Sequence, residues 1–188
     1  MERKRKYSGL GSITSKALSK TADAVQRFDS GVLHRPSVQF KFEELREPNA
    51  LKDRVKKELE VKCPFVYLIF ARPDCDIAKA IESFRSAQID QKDKSFSRLN
   101  GLNPANHERC FYVGSSNPGY ARFNQHFGLS SPKTYSLQLS AWAKGLGGGI
   151  EIDILEFPNE PDSKLIRYAE DALAETFMPV FGRRGAAV

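Results

Sequence analysis

The stretch "CFYVGSS", residues 110–116, decides how the rest of the chain is read. Four apolar or aromatic residues run into a glycine and two serines, the pattern of a buried strand entering a turn. It leads into "NPGYARFNQHFG" (117–128), where Asn117 offers an N-cap, Pro118 a first-turn proline and Gly128 a stop. That predicts a short helix. Upstream, "FVYLIF" (65–70) follows Pro64 and is a second buried strand; downstream, "GIEIDILEF" (149–157) alternates cleanly and is a third. "DSKLIRYAEDALAETFM" (162–178) is an amphipathic helix closed by Pro179.

The remaining segments are helical or ambiguous. "DIAKAIESFRSAQ" (76–88) puts Ile77, Ala80, Ile81 and Phe84 on one helical face. "KTYSLQLSAWAKG" (133–145) has a helix start signal at Ser131–Pro132, yet Tyr135, Leu137 and Leu139 alternate like a strand. Ahead of the main body, "SITSKALSKTADAVQRF" (12–28) and "EPNALKDRVKKELEV" (47–61) each carry an apolar stripe opposite lysines, the second through Leu51, Val55 and Leu59. The predicted architecture is α+β: a central three-stranded sheet flanked by helices over 63–188, with a helical insert at about 72–108. A basic N-terminal arm with amphipathic helices fills 1–62.

Composition narrows the function. The net charge is +6, and residues 1–60 hold fourteen Lys/Arg against nine Asp/Glu. Such an excess suits a polyanionic partner, because each phosphate contact releases counterions. Candidate contacts are the arm Arg3, Lys4, Arg5 and Lys6, the pair Arg183–Arg184, and Arg85, Lys92, Lys94 and Arg98 around the insert. The three cysteines lack CxxC spacing and only three histidines accompany them, a poor set for structural zinc. "GLGGG" (145–149) is not a phosphate loop, since no GK[ST] follows it. No apolar run approaches the ~20 residues that span a bilayer, and the N-terminus lacks a secretory h-region. The expectation is a soluble cytoplasmic or nucleoid-associated protein.

A few side chains stand out. Leu165, Ala169, Ala172 and Leu173 define the buried face of the last helix, and Glu170 sits at its edge, where a carboxylate must be solvated, paired or bound to a metal. A boundary glutamate reaching water is the commoner case. Arg122 and His126, spaced i, i+4, project from one side of their helix; a guanidinium and an imidazole there suit phosphate chemistry, though cations on a surface helix are ordinary. Tyr67 and Tyr112 lie in strands that look adjacent, and either alone would be core.

Taken in order, these residues resemble the GIY-YIG nuclease family over about residues 65–182. The first signature strand corresponds to "FVY", ending at Tyr67, and the second to "YVG", Tyr112 to Gly114. The family arginine falls on Arg122 and the histidine of several members on His126. The family glutamate falls on Glu170, nine residues before Pro179 in "EDALAETFMP". Phe65–Val66 replace the glycine–isoleucine of the first motif, and Gly182 stands where members often carry asparagine. The resemblance implies metal-dependent hydrolysis of DNA phosphodiesters, with Mg²⁺ or Mn²⁺ on Glu170 and Tyr67, Tyr112, Arg122 and His126 as catalytic groups. Tyr67 is the candidate base, with Tyr112 orienting the water or donating to phosphate, and Ser115 is a candidate nucleic-acid contact. A catalytically silent nucleic-acid-binding module, or a nuclease for RNA or branched DNA, is the competing expectation.

Overall fold

The computed structural model describes residues 32–92, 102–103, 109–130, 134–159 and 163–182. Its chain order is β1 (Leu33–His34), β2 (Val38–Lys41), a 3₁₀ turn (Phe42–Arg46), α1 (Pro48–Leu59), β3 (Phe65–Ala71) and α2 (Ile77–Lys92). There follow β4 (Cys110–Ser116), α3 (Ala121–Phe127), α4 (Leu139–Trp142), β5 (Gly149–Glu156) and α5 (Ser163–Phe177). No helix among the described residues is long and apolar enough to cross a membrane.

All pairings in the sheet are antiparallel, in the order β1-β5-β3-β4 with β2 also on β5. The three strands read from sequence are its centre and one edge, but the sheet has five strands rather than three. The two extra strands are two and four residues long, with Pro36 between them. Runs so short show no alternation to read; pairing with β5 makes them strands. Among the described residues β4 pairs with no strand but β3, and the Val180 and Phe181 N–H groups donate to its Cys110 and Phe111 carbonyls.

Helices cover both faces. The main core joins Phe65, Tyr67 and Ile69 of β3 to Phe84 of α2, Phe123 and Phe127 of α3, and Leu51, Val55 and Leu59 of α1. The other face buries Val66, Leu68, Cys110 and Val113 against Ile166 of α5. The register shift between Ile69 and Phe70 lets Phe111 bulge, so Phe111 and Tyr112 both meet the main core while Cys110 and Val113 meet the other.

Phe40, Phe42, Leu45, Leu51, Val55, Leu59 and Val61, ahead of residue 63, pack into this same core. Arg54 of α1 fixes this arrangement. It pairs with Glu44, bonds Glu58 at 3.0 Å and the Gln39 carbonyl at 2.8 Å, and lies 4.4 Å over the Phe40 ring. The first amphipathic helix and the Arg3–Lys6 arm lie outside the described residues, as do Lys94, Arg98, Arg183 and Arg184; so does the Lys92 side chain.

Three local expectations shift. α3 begins at Ala121 instead of Pro118, because Gly119 (φ +119°) gives its N–H to the Val61 carbonyl at 2.7 Å and holds the chain out of the helix. Residues 134–145 satisfy neither reading in full: Leu137 and Leu139 are buried, and only Leu139–Trp142 is helical. In α5, Ala172 is exposed although helical periodicity put it on the buried face; Leu165 and Ile166 are buried, with Ala169 and Leu173 partly so. The face that meets the sheet is narrower than the stripe.

Candidate functional site

Tyr67 stands opposite Gly114 in the β3–β4 register. Its ring stacks with Tyr112 at 6.0 Å between centroids, and the two rings close over the glycine. A Cβ at Gly114 would lie 2.6 Å from Tyr112 Cε1 and 2.7 Å from the Tyr67 hydroxyl. That is why the strand carries glycine at this point: any side chain would displace one tyrosine or both.

The neighbouring helix supplies the polar partners. Arg122 Nε–H donates to Tyr67 Oη at 3.2 Å and Nη2–H to Tyr112 Oη at 3.1 Å. Its Nη1 donates to Gln125 Oε1 at 2.8 Å and to the Tyr135 carbonyl at 3.0 Å. Gln125 and the Tyr135 carbonyl escaped sequence reasoning. Gln125 is three residues from Arg122, a spacing that signals contact, but nothing in the sequence signals a backbone carbonyl delivered by a distant loop.

His126, one turn on, is 1% exposed. The backbone N–H of Leu137 donates to its Nδ1 at 3.2 Å, and its Nε2 lies 2.7 Å from Tyr67 Oη. A nitrogen that accepts carries no proton, so the ring holds its proton on Nε2 and donates to the tyrosine. Burial holds the imidazole well below its usual pKa of 6.5, with a further push from the Arg122 charge. Tyr67 thus receives two N–H donors on one oxygen while fully buried, and its phenol lies well above the usual tyrosine range, through burial first.

The His126 shift has a stability consequence. A base whose folded pKa lies below its unfolded value of about 6.5 favours the fold above that pH and disfavours it as pH falls further. The melting temperature should therefore drop from pH 7 to pH 5, and drop less in His126→Gln. Parallel slopes in the two proteins would show that His126 does not titrate across the transition.

Glu170 comes from the opposite face. The Ser115 hydroxyl of β4 donates to its Oε2. Ser115 lies one residue before the end of β4, the strand that also carries Tyr112. The carboxyl is raised above the usual range, chiefly by burial, while Arg167 and Arg122 draw it down. It forms no ion pair among the described residues. A partly buried carboxylate, anchored through one oxygen and lacking a cation, matches what Mg²⁺ takes: one or two carboxylates and several waters. Among the described residues no three His, Cys, Asp or Glu side chains gather as a richer metal site. The thiols do not enter this chemistry: Cys75 is pushed up to about 11 and Cys110 to about 12 by burial.

Fold and site together define an α+β domain with a tyrosine–guanidinium–imidazole cluster at a sheet margin and a carboxylate beside it. No protein-family model, curated protein or solved structure matches the chain.

Proposed function

We propose that the protein is a metal-dependent DNA endonuclease of the GIY-YIG type, hydrolysing phosphodiester bonds with one Mg²⁺ or Mn²⁺ ion. The observation that carries this reading is the hydrogen-bonded cluster of Tyr67, Tyr112, Arg122 and His126, with Glu170 held by Ser115 next to it. Four positions scattered over residues 67–126 form one hydrogen-bonded cluster, and the Arg122 charge acts on the Glu170 carboxyl. The basic charge of the chain suits duplex DNA as the partner.

Glu170 would hold the cation, which supplies Lewis-acid stabilisation of the phosphate and the departing oxygen. The roles of the tyrosines follow from exposure. Tyr67 is fully buried and has no open path to a water, so the base role expected of it passes to Tyr112, which is half-buried. Tyr112 acts as base in its phenolate form, whose charge the Arg122 N–H stabilises; taking the proton of the attacking water returns it to the neutral phenol while the hydroxide attacks the phosphorus. His126 polarises Tyr67 and, through it, orients Arg122; its position excludes it as the acid for the leaving group.

Gly182 favours a second reading, a binding module that does not cut. Its φ of +114° and the Tyr112 ring 3.2 Å from the place a Cβ would take make the asparagine that family members often carry strained and tight at this point. One assay separates the two. Supercoiled plasmid is expected to be nicked or linearised in Mg²⁺ and to remain intact in EDTA. Retardation of the plasmid without cutting would replace the endonuclease by the silent module, and neither binding nor cutting would remove both.

A further inference from the structure

Arg122 has little left for a substrate. A guanidinium has five N–H groups, and four are committed to Tyr67, Tyr112, Gln125 and the Tyr135 carbonyl. Forking onto a phosphate takes two parallel N–H bonds, so Arg122 would have to break the bonds that hold the tyrosines. Another cation must do this work.

α5 provides one. Arg167 precedes Glu170 by three residues, which places the two side chains next to each other along the margin of the helix. Arg167 is exposed and makes no ion pair or hydrogen bond among the described residues. It does not pair with Glu170 itself, yet its charge acts on that carboxyl more strongly than that of Arg122 does. A free guanidinium beside a half-buried carboxylate is positioned to take one end of what the carboxylate's cation takes at the other.

We infer that Arg167, and not Arg122, clamps a backbone phosphate of the substrate beside Glu170, and so sets affinity for the nucleic acid. This rests on the endonuclease reading and adds a binding residue to it. Arg122 keeps the tyrosines in place and offers its one remaining N–H.

The test is binding without cleavage. A fluorescein-labelled duplex is titrated in Ca²⁺ in place of Mg²⁺, and anisotropy is followed over a salt series. Arg167→Ala should weaken binding about tenfold, the loss of one charge-assisted contact, and lower the slope of log K against log salt by about one. Arg167→Lys should recover the slope but only part of the affinity, since lysine keeps the charge and loses the fork. The melting temperature should be unchanged in both. Wild-type affinity and slope in Arg167→Ala would overturn this assignment and leave the endonuclease reading intact. A wild-type protein that does not bind the duplex at all would overturn both.

Discussion

Glu170→Gln is expected to lose about 10³-fold in plasmid cleavage while raising the melting temperature at neutral pH. The loss follows from removing the carboxylate proposed to hold the cation; metal stabilisation of a phosphoryl transition state is worth several kcal/mol, or about three powers of ten. The gain in stability follows from the direction of the Glu170 shift. Burial raises the folded pKa above the unfolded 4.5, so ionisation is harder in the fold than out of it. The penalty is absent below about 4.5, where the carboxyl is protonated in both states, and complete above the folded pKa. Glutamine removes it while still accepting the Ser115 hydroxyl. The difference in melting temperature should therefore close as pH falls. Cleavage at the wild-type rate would take Glu170 out of the chemistry, and a lower melting temperature at neutral pH would contradict the cost of its burial.

Gly114→Ala should reduce cleavage about 100-fold, because displacing reacting groups by about 1 Å costs that much, and should destabilise the fold by about 1–3 kcal/mol. The added methyl would fall within 2.9 Å of the Tyr67 hydroxyl, Tyr67 Cζ and Tyr112 Cε1. Tyr67 has no slack, since its oxygen is fixed by His126 and Arg122 and its ring by Phe65 and Phe123. Tyr112 has to move and takes its oxygen off Arg122. Gly147→Ala is the control: a Cβ there meets nothing within 4 Å, and stability should change by no more than about 0.5 kcal/mol. Equal stability and activity in Gly114→Ala and Gly147→Ala would mean that the tyrosine pair is not tightly held.

The sequence showed the edge position of Glu170 through helical periodicity, and α5 confirms it: Ile166 lies in the sheet-facing core, Tyr168 is 60% exposed, and Glu170 falls between them. The same periodicity misplaced Ala172, because the sheet covers less of the helix than its apolar stripe allows. Arg122 and His126 were legible as a pair on one helix face. Their separate fates were not. One guanidinium finds four partners on four segments, and one imidazole accepts on Nδ1 from a backbone N–H eleven residues away.

By its own pattern of apolar residues and breakers, the chain determined that β3, β4, β5, α1, α2 and α5 exist, since runs of this length bury enough surface to declare themselves. It also fixed a glycine where two tyrosines meet. Only the tertiary structure decided that β1 and β2 join the sheet, that Phe40, Phe42 and Leu45 enter the core, and that Arg122 is engaged while Arg167 has no partner among the described residues. Those outcomes depend on which groups arrive together in space, and a guanidinium carries the same label whether its N–H groups face carbonyls or water.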